Sequence, residues 1–80
     1  MSTRSHQLQT SLADTRAERG LSQDQLANAA GVTRQTISSI ETGQYCPSTV
    51  LALRLAEVLG TRVESLFQLK EGHDANVAGS

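Results

Sequence analysis

Aromatic side chains are nearly missing from this sequence: one Tyr, one Phe and no Trp in 80 residues. Any core must therefore be built from Leu, Ile, Val and Ala. There is one cysteine, Cys46, which excludes an intramolecular disulfide framework and argues against a cysteine-based zinc site. Long apolar runs are also lacking. The longest, Val50 to Leu53, is ended by Arg54, far short of the ~20 residues that a membrane span needs. The polar start, Met1 to Thr10, has no apolar segment of the secretory kind. These absences predict a cytoplasmic protein with no membrane partner. Excess charge is missing too, the net value being −1. Since nucleic-acid binders usually carry a basic face, charge has to be judged by position.

What remains is an ordinary globular composition, 38% hydrophobic and 19% charged, at a length that holds one domain. Chains this small are marginal, because a ~60-residue domain buries only about 60% of its unfolded surface. Local signals or a partner must make up the difference.

Helix punctuation is regular. Leu8 and Leu12 at i, i+4, followed by Ala13, Ala17 and charged residues to Arg19, predict a first helix closed by Gly20. Ser22 and Gln25 form a capping box that opens a second helix carrying Leu26, Ala27 and Ala30, ended by Gly31. Thr33 caps a third helix with Ile37 and Ile40 inward, closed by Gly43. Ser48 caps a fourth from about Thr49 to Leu59, ended by Gly60. Thr61 and Glu64 read as another capping box before a short helix with Leu66 and Phe67. No run alternates as a strand would. The expectation is an all-α fold of five helices over residues 7–69, between a flexible segment 1–6 and a disordered tail or linker 70–80.

Function is carried by the turn between the second and third helices. Only Gly31 and Val32 separate the second helix from the Thr33 cap. A tight glycine turn between short helices is the helix-turn-helix signature, whose second helix enters the DNA major groove. Ala27 supplies the small residue where the two helices approach. An αα-corner alone also occurs in proteins that bind no DNA. The third helix adds the chemistry: with Val32, Ile37 and Ile40 inward, Thr33, Arg34, Gln35, Thr36, Ser38 and Ser39 remain outside. Arg suits guanine, Gln suits adenine, and Ser and Thr suit bases or phosphate. No acid interrupts this face before Glu41, where it would repel phosphate.

The stretch RGLSQDQLANAAGVTRQTISSIETGQYCPSTVLALRLAEVLGTRVESLF resembles the phage-repressor and Cro-type helix-turn-helix family, also called the xenobiotic-response-element family. The resemblance runs from about Leu8 to Phe67. It implies a five-helix, lambda-repressor-like domain and a homodimeric transcription regulator on a pseudo-palindromic operator in double-stranded DNA. Arg34, Gln35 and Ser39 match base-reading positions. Gln23 matches a phosphate contact, and Thr33, Thr36 and Ser38 match phosphate or mixed positions. Thr42, Gly43 and Gln44 occupy a loop that meets the DNA backbone, where a main-chain N–H of Gly43 or Gln44 would donate to phosphate. Arg16 and Glu41 match a salt bridge between the first and third helices. Many members carry Lys or Arg where this chain has Gln44, Tyr45 and Cys46, so the electrostatic share of DNA binding should be modest.

The fourth helix is apolar on more than one face. Ala52, Leu55, Ala56 and Leu59 make a sufficient core stripe. The surplus Val50, Leu51 and Val58 either faces a second protomer or is wrapped by a larger core. The family commonly pairs through its C-terminal helices, which would bring Leu66, Phe67 and Leu69 into an interface. A less specific likeness of the 47–67 segment to longer ligand-responsive regulators, and the use of this fold by antitoxins, leave a ligand domain or toxin partner open.

Enzymatic chemistry lacks an inventory. His6 and His73 lie in the two end segments, and Cys46 has no partner. The glycines terminate helices rather than cradle phosphates. No catalytic residue, metal or cofactor is expected. The competing reading is a helical protein-interaction adaptor that uses the fourth helix.

Overall fold

The computed structural model describes residues 8–69. Residues 1–7 and 70–80, which include the expected flexible start with His6 and the expected tail with His73, lie outside the described residues. The chain runs β1 (Leu8–Thr10), α1 (Leu12–Glu18), α2 (Gln23–Ala30), α3 (Arg34–Glu41), α4 (Thr49–Leu59), α5 (Val63–Leu66) and β2 (Phe67–Leu69). Helices α2 and α3 pack against each other, α2 also lies on α4, and α1 meets α3. Leu12, Leu26, Ile37, Ile40, Leu55 and Leu66 are fully buried at the centre, joined by Ala27, Ala30, Leu51, Ala56 and Leu59. No described helix is long and apolar enough to cross a membrane.

Three caps form as the sequence dictates. The Ser22 hydroxyl accepts from the Gln25 N–H at 3.0 Å while the Gln25 side chain accepts from the Ser22 N–H at 2.8 Å. Thr33 accepts from the Thr36 N–H at 3.2 Å and Ser48 from the Leu51 N–H at 3.1 Å. Each satisfies a helix-start donor that has no partner within the helix. Gly31 then turns the chain with φ +78°, a conformation that costs other residues a Cβ clash. The Val32 N–H closes the end of α2 on the Ala27 carbonyl at 3.0 Å.

Two expectations need correction. The first helix starts at Leu12, not near Leu8. Residues Leu8–Thr10 instead pair antiparallel with Phe67–Leu69, with Leu8 opposite Leu69, Gln9 opposite Gln68 and Thr10 opposite Phe67. The Ser11 N–H donates to the Leu66 carbonyl at 2.8 Å and the Thr10 hydroxyl accepts from the Leu12 N–H. Pairing with the far end of the chain thus replaces one helical turn, and Phe67 belongs to the ribbon. The expectation of no strand fails for these six residues.

The Thr61–Glu64 capping box does not form. The Thr61 N–H closes α4 on the Ala56 carbonyl at 2.9 Å, which moves the N-cap of α5 on to Arg62 without a side-chain cap. Glu64 turns to Arg62 instead, at 3.2 Å. Its carboxyl is held below the usual value by a hydrogen bond from its own backbone N–H, and then by the Arg62 charge.

Candidate nucleic-acid interface

Burying Ile37 and Ile40 fixes how α3 rotates about its axis, and Val32 half-buried beneath the turn holds its start. The opposite side presents Thr33, Arg34 and Gln35 exposed, with Thr36, Ser38 and Ser39 half-exposed. Thr33, Gln35, Thr36, Ser39 and Tyr45 line an open, mainly shallow groove of about 320 Å³. The Thr33 and Thr36 hydroxyls share a hydrogen bond of 3.0 Å, which orders this rim. The sequence-predicted base-reading residues therefore share one accessible face.

A polar chain runs behind that face. Arg16 Nε donates to Glu41 Oε2 at 2.6 Å, and Arg16 Nη1 donates to the Leu21 carbonyl at 2.8 Å. The pair is largely out of water, with side chains 18% and 7% exposed. Gln23 Nε2 donates to Glu41 Oε1 at 2.9 Å. A carboxylate only accepts, so the Gln23 amide must turn its nitrogen to Glu41 and its oxygen outward. That oxygen accepts from Arg34 Nη1 at 3.2 Å. The Arg16–Glu41 pair thus reaches Arg34 through one amide.

Sequence reading missed Asp24. Judged along α3 alone the face is free of acids, but Asp24 on the first turn of α2 brings Oδ1 to 3.9 Å from Arg34 Nε. The signal was available only through the geometry of the turn. The other described arginines are engaged elsewhere: Arg19 with the Leu59 carbonyl, Arg54 with the Ala30 carbonyl and Arg62 with Glu64.

The loop after α3 departs from expectation. The Gly43 N–H donates to the Ile40 carbonyl at 3.0 Å and the Gln44 N–H to the Ser39 carbonyl at 2.9 Å. Both main-chain donors are used in closing the helix, so neither is left for a phosphate. Thr42 also turns its hydroxyl to the Ser39 carbonyl, while the Gln44 side chain remains exposed.

The surplus on α4 divides. Leu51 is buried in the protomer's own core and so is Leu66, because α5 folds back over α4; neither is available to a second protomer. Phe67 is half-buried against that core. Val50, Val58 and Leu69 are exposed, and Leu53, not singled out from sequence, is 56% exposed. Beside Leu53 lies an apolar groove of about 270 Å³, lined by residues that include Leu8, Pro47, Ala52 and Phe67.

Comparison with known proteins follows the same lines. A family model described as helix-turn-helix matches residues 12–66. A helix-turn-helix-type transcriptional regulator of Methanothermobacter thermautotrophicus is 46% identical over 65 residues, covering 80% of this chain and 94% of the relative. The regulator YgzD of Bacillus subtilis is 39% identical over 64 residues, covering 80% and 97%. Among solved structures, the restriction-modification controller protein C.AhdI of Aeromonas hydrophila superposes with a TM-score of 0.63 at 36% identity, covering 66% of this chain and 80% of that one.

Proposed function

From a chain that belongs to the Cro/C1-type helix-turn-helix family of DNA-binding transcriptional regulators, we propose a repressor that grips a pseudo-palindromic operator as a homodimer. Each protomer lays α3 in the major groove, with half-sites about 34 Å apart, one helical turn. Arg34, Gln35 and Ser39 read base edges. Gln23, Thr33, Thr36, Ser38 and the side chains of Thr42 and Gln44 contact phosphates or share both tasks. The observation that carries this reading is the face of α3, where Thr33, Arg34 and Gln35 stand exposed beside an open groove. Polar donors and acceptors of these kinds discriminate base pairs in the major groove.

Val50, Leu53, Val58 and Leu69 supply the dimer contact. Their support is the exposure of four large apolar side chains on one small domain. Pairing doubles the contacts that a single protomer, with few free cations, makes to phosphate. The likeness to a restriction-modification controller protein supports a regulator of this kind.

The test is selection from a random duplex pool at near-physiological salt, with an Arg34→Ala/Gln35→Ala variant as control. The expected result is a two-fold-symmetric motif that the variant fails to enrich. A motif without symmetry would remove the dimer, and a motif retained by the variant would remove α3 as the reading element.

A further inference from the structure

Arg34 is the one charged side chain on the exposed face of α3, and it is gripped from one side. Asp24 Oδ1 lies 3.9 Å from Nε, and Gln23 Oε1 accepts from Nη1 at 3.2 Å. Both groups sit on the first turn of α2, so the guanidinium is held along its flank by a neighbouring helix. Among the described residues Nη2 makes no hydrogen bond, and the end of the fork stays open. A planar guanidinium matches a pair of acceptors best when its plane is fixed.

We propose that Asp24 is a positioning residue for base selection: its carboxylate steadies the flank of Arg34, so that the open end of the fork selects guanine at one base pair. This rests on the reading above that Arg34 contacts a base. Guanine offers O6 and N7 as two acceptors on its major-groove edge, whereas adenine pairs one acceptor with a donor. An Arg free to swing finds a phosphate or a neighbouring acceptor as readily. Asp24 opposes that in two ways. It draws Nε by charge across 3.9 Å, and it competes with phosphate oxygens for the same guanidinium. The residue therefore trades general affinity for discrimination. Gln23, already oriented by Glu41, supplies the second point of the grip.

The experiment is selection from a random duplex pool with the wild-type chain, Arg34→Ala, Asp24→Asn and Asp24→Glu, read as base frequencies at every position of the bound fraction. Arg34→Ala identifies the base pair that Arg34 reads, as the position whose guanine preference disappears. At that position Asp24→Asn is expected to lower the preference by about 1.5- to fivefold, the range of one exposed ion pair. Other positions keep theirs, and retention of unselected DNA rises. Asp24→Glu restores the preference, because a longer carboxylate still reaches Nε.

If Asp24→Asn keeps the full guanine preference at the position that Arg34→Ala relaxes, the positioning role is refuted while the base-reading role of Arg34 stands. An equal loss at every position under Asp24→Asn refutes it as well, since a merely structural defect acts uniformly. If Arg34→Ala relaxes no position, the base-reading role itself fails and takes the inference with it.

Discussion

Replacing Glu41 with alanine should cost this domain a large part of its stability. The carboxylate is 7% exposed and accepts from Arg16 Nε, from Arg16 Nη2 at 3.4 Å and from Gln23 Nε2. Removing it strands the Arg16 guanidinium in a largely dry place, with the Leu21 carbonyl as its remaining partner. Breaking a fully buried pair from one side costs about 3–5 kcal/mol. Arg16 is 18% exposed, and the water that reaches it reduces the loss to about 2–3 kcal/mol. Domains of this size hold only about 0.05–0.15 kcal/mol per residue. The variant should melt about 10–20 °C below the parent. Without tryptophan, far-ultraviolet circular dichroism under urea and heat is the suitable assay. An Arg16→Met/Glu41→Met double variant should recover much of the loss, because two apolar side chains leave no charge unpaired. A Glu41→Ala variant within about 0.5 kcal/mol of the parent would refute the reasoning, and so would a double variant as unstable as the summed single changes.

Two further outcomes follow from local geometry. Gly31→Ala should lose about 1–2 kcal/mol in equilibrium denaturation: the added Cβ would sit 3.5 Å from Arg54 Nη1, an ordinary contact, so the cost comes from φ +78°. An unchanged stability would mean the turn relaxes out of the left-handed region. Glu64→Gln should lower stability slightly at neutral pH, because the folded carboxyl sits below its ordinary 4.5 and favours the folded state when ionised. That advantage is complete above the unfolded-state pKa and disappears as pH falls through the lower folded value. Paired melting curves should converge in acid, and a difference that stays constant with pH would contradict the assignment.

The caps at Ser22, Thr33 and Ser48 were legible because capping joins a side chain to a backbone N–H three residues away. The helix-turn-helix was legible for the same reason, its turn and flanking apolar positions being consecutive in the chain. Leu8 was misread because its spacing to Leu12 suits a helical turn, whereas its partner is Leu69. Thr61 was misread because two helix ends compete for it, and closing α4 prevails. Leu51 looked like surplus because a stripe drawn on one helix takes no account of what the other elements pack against it, and Leu66, offered to an interface by the resemblance, is buried where α5 packs on α4. Asp24 escaped notice since its meeting with Arg34 depends on the angle at which α2 and α3 cross. Gly43 and Gln44 have spare main-chain donors only if the helix ends open, and it ends closed.

The β1–β2 ribbon bears on the order in which the molecule assembles. Leu8 and Leu69 are the first and last described residues, so their pairing closes the longest loop available to this segment. Closure entropy rises with loop length, whereas α2, its turn and α3 meet through neighbours in sequence, the contacts associated with fast folding. Topology therefore favours a helical pair that gathers early and a ribbon that zips up late. In the reverse direction the ribbon frays first, and the amides of Gln9 and Gln68 should exchange with solvent well before those around Ile37. A molecule with this ribbon open still carries α2, its turn and α3 in place. The clasp and the helical pair live on different clocks.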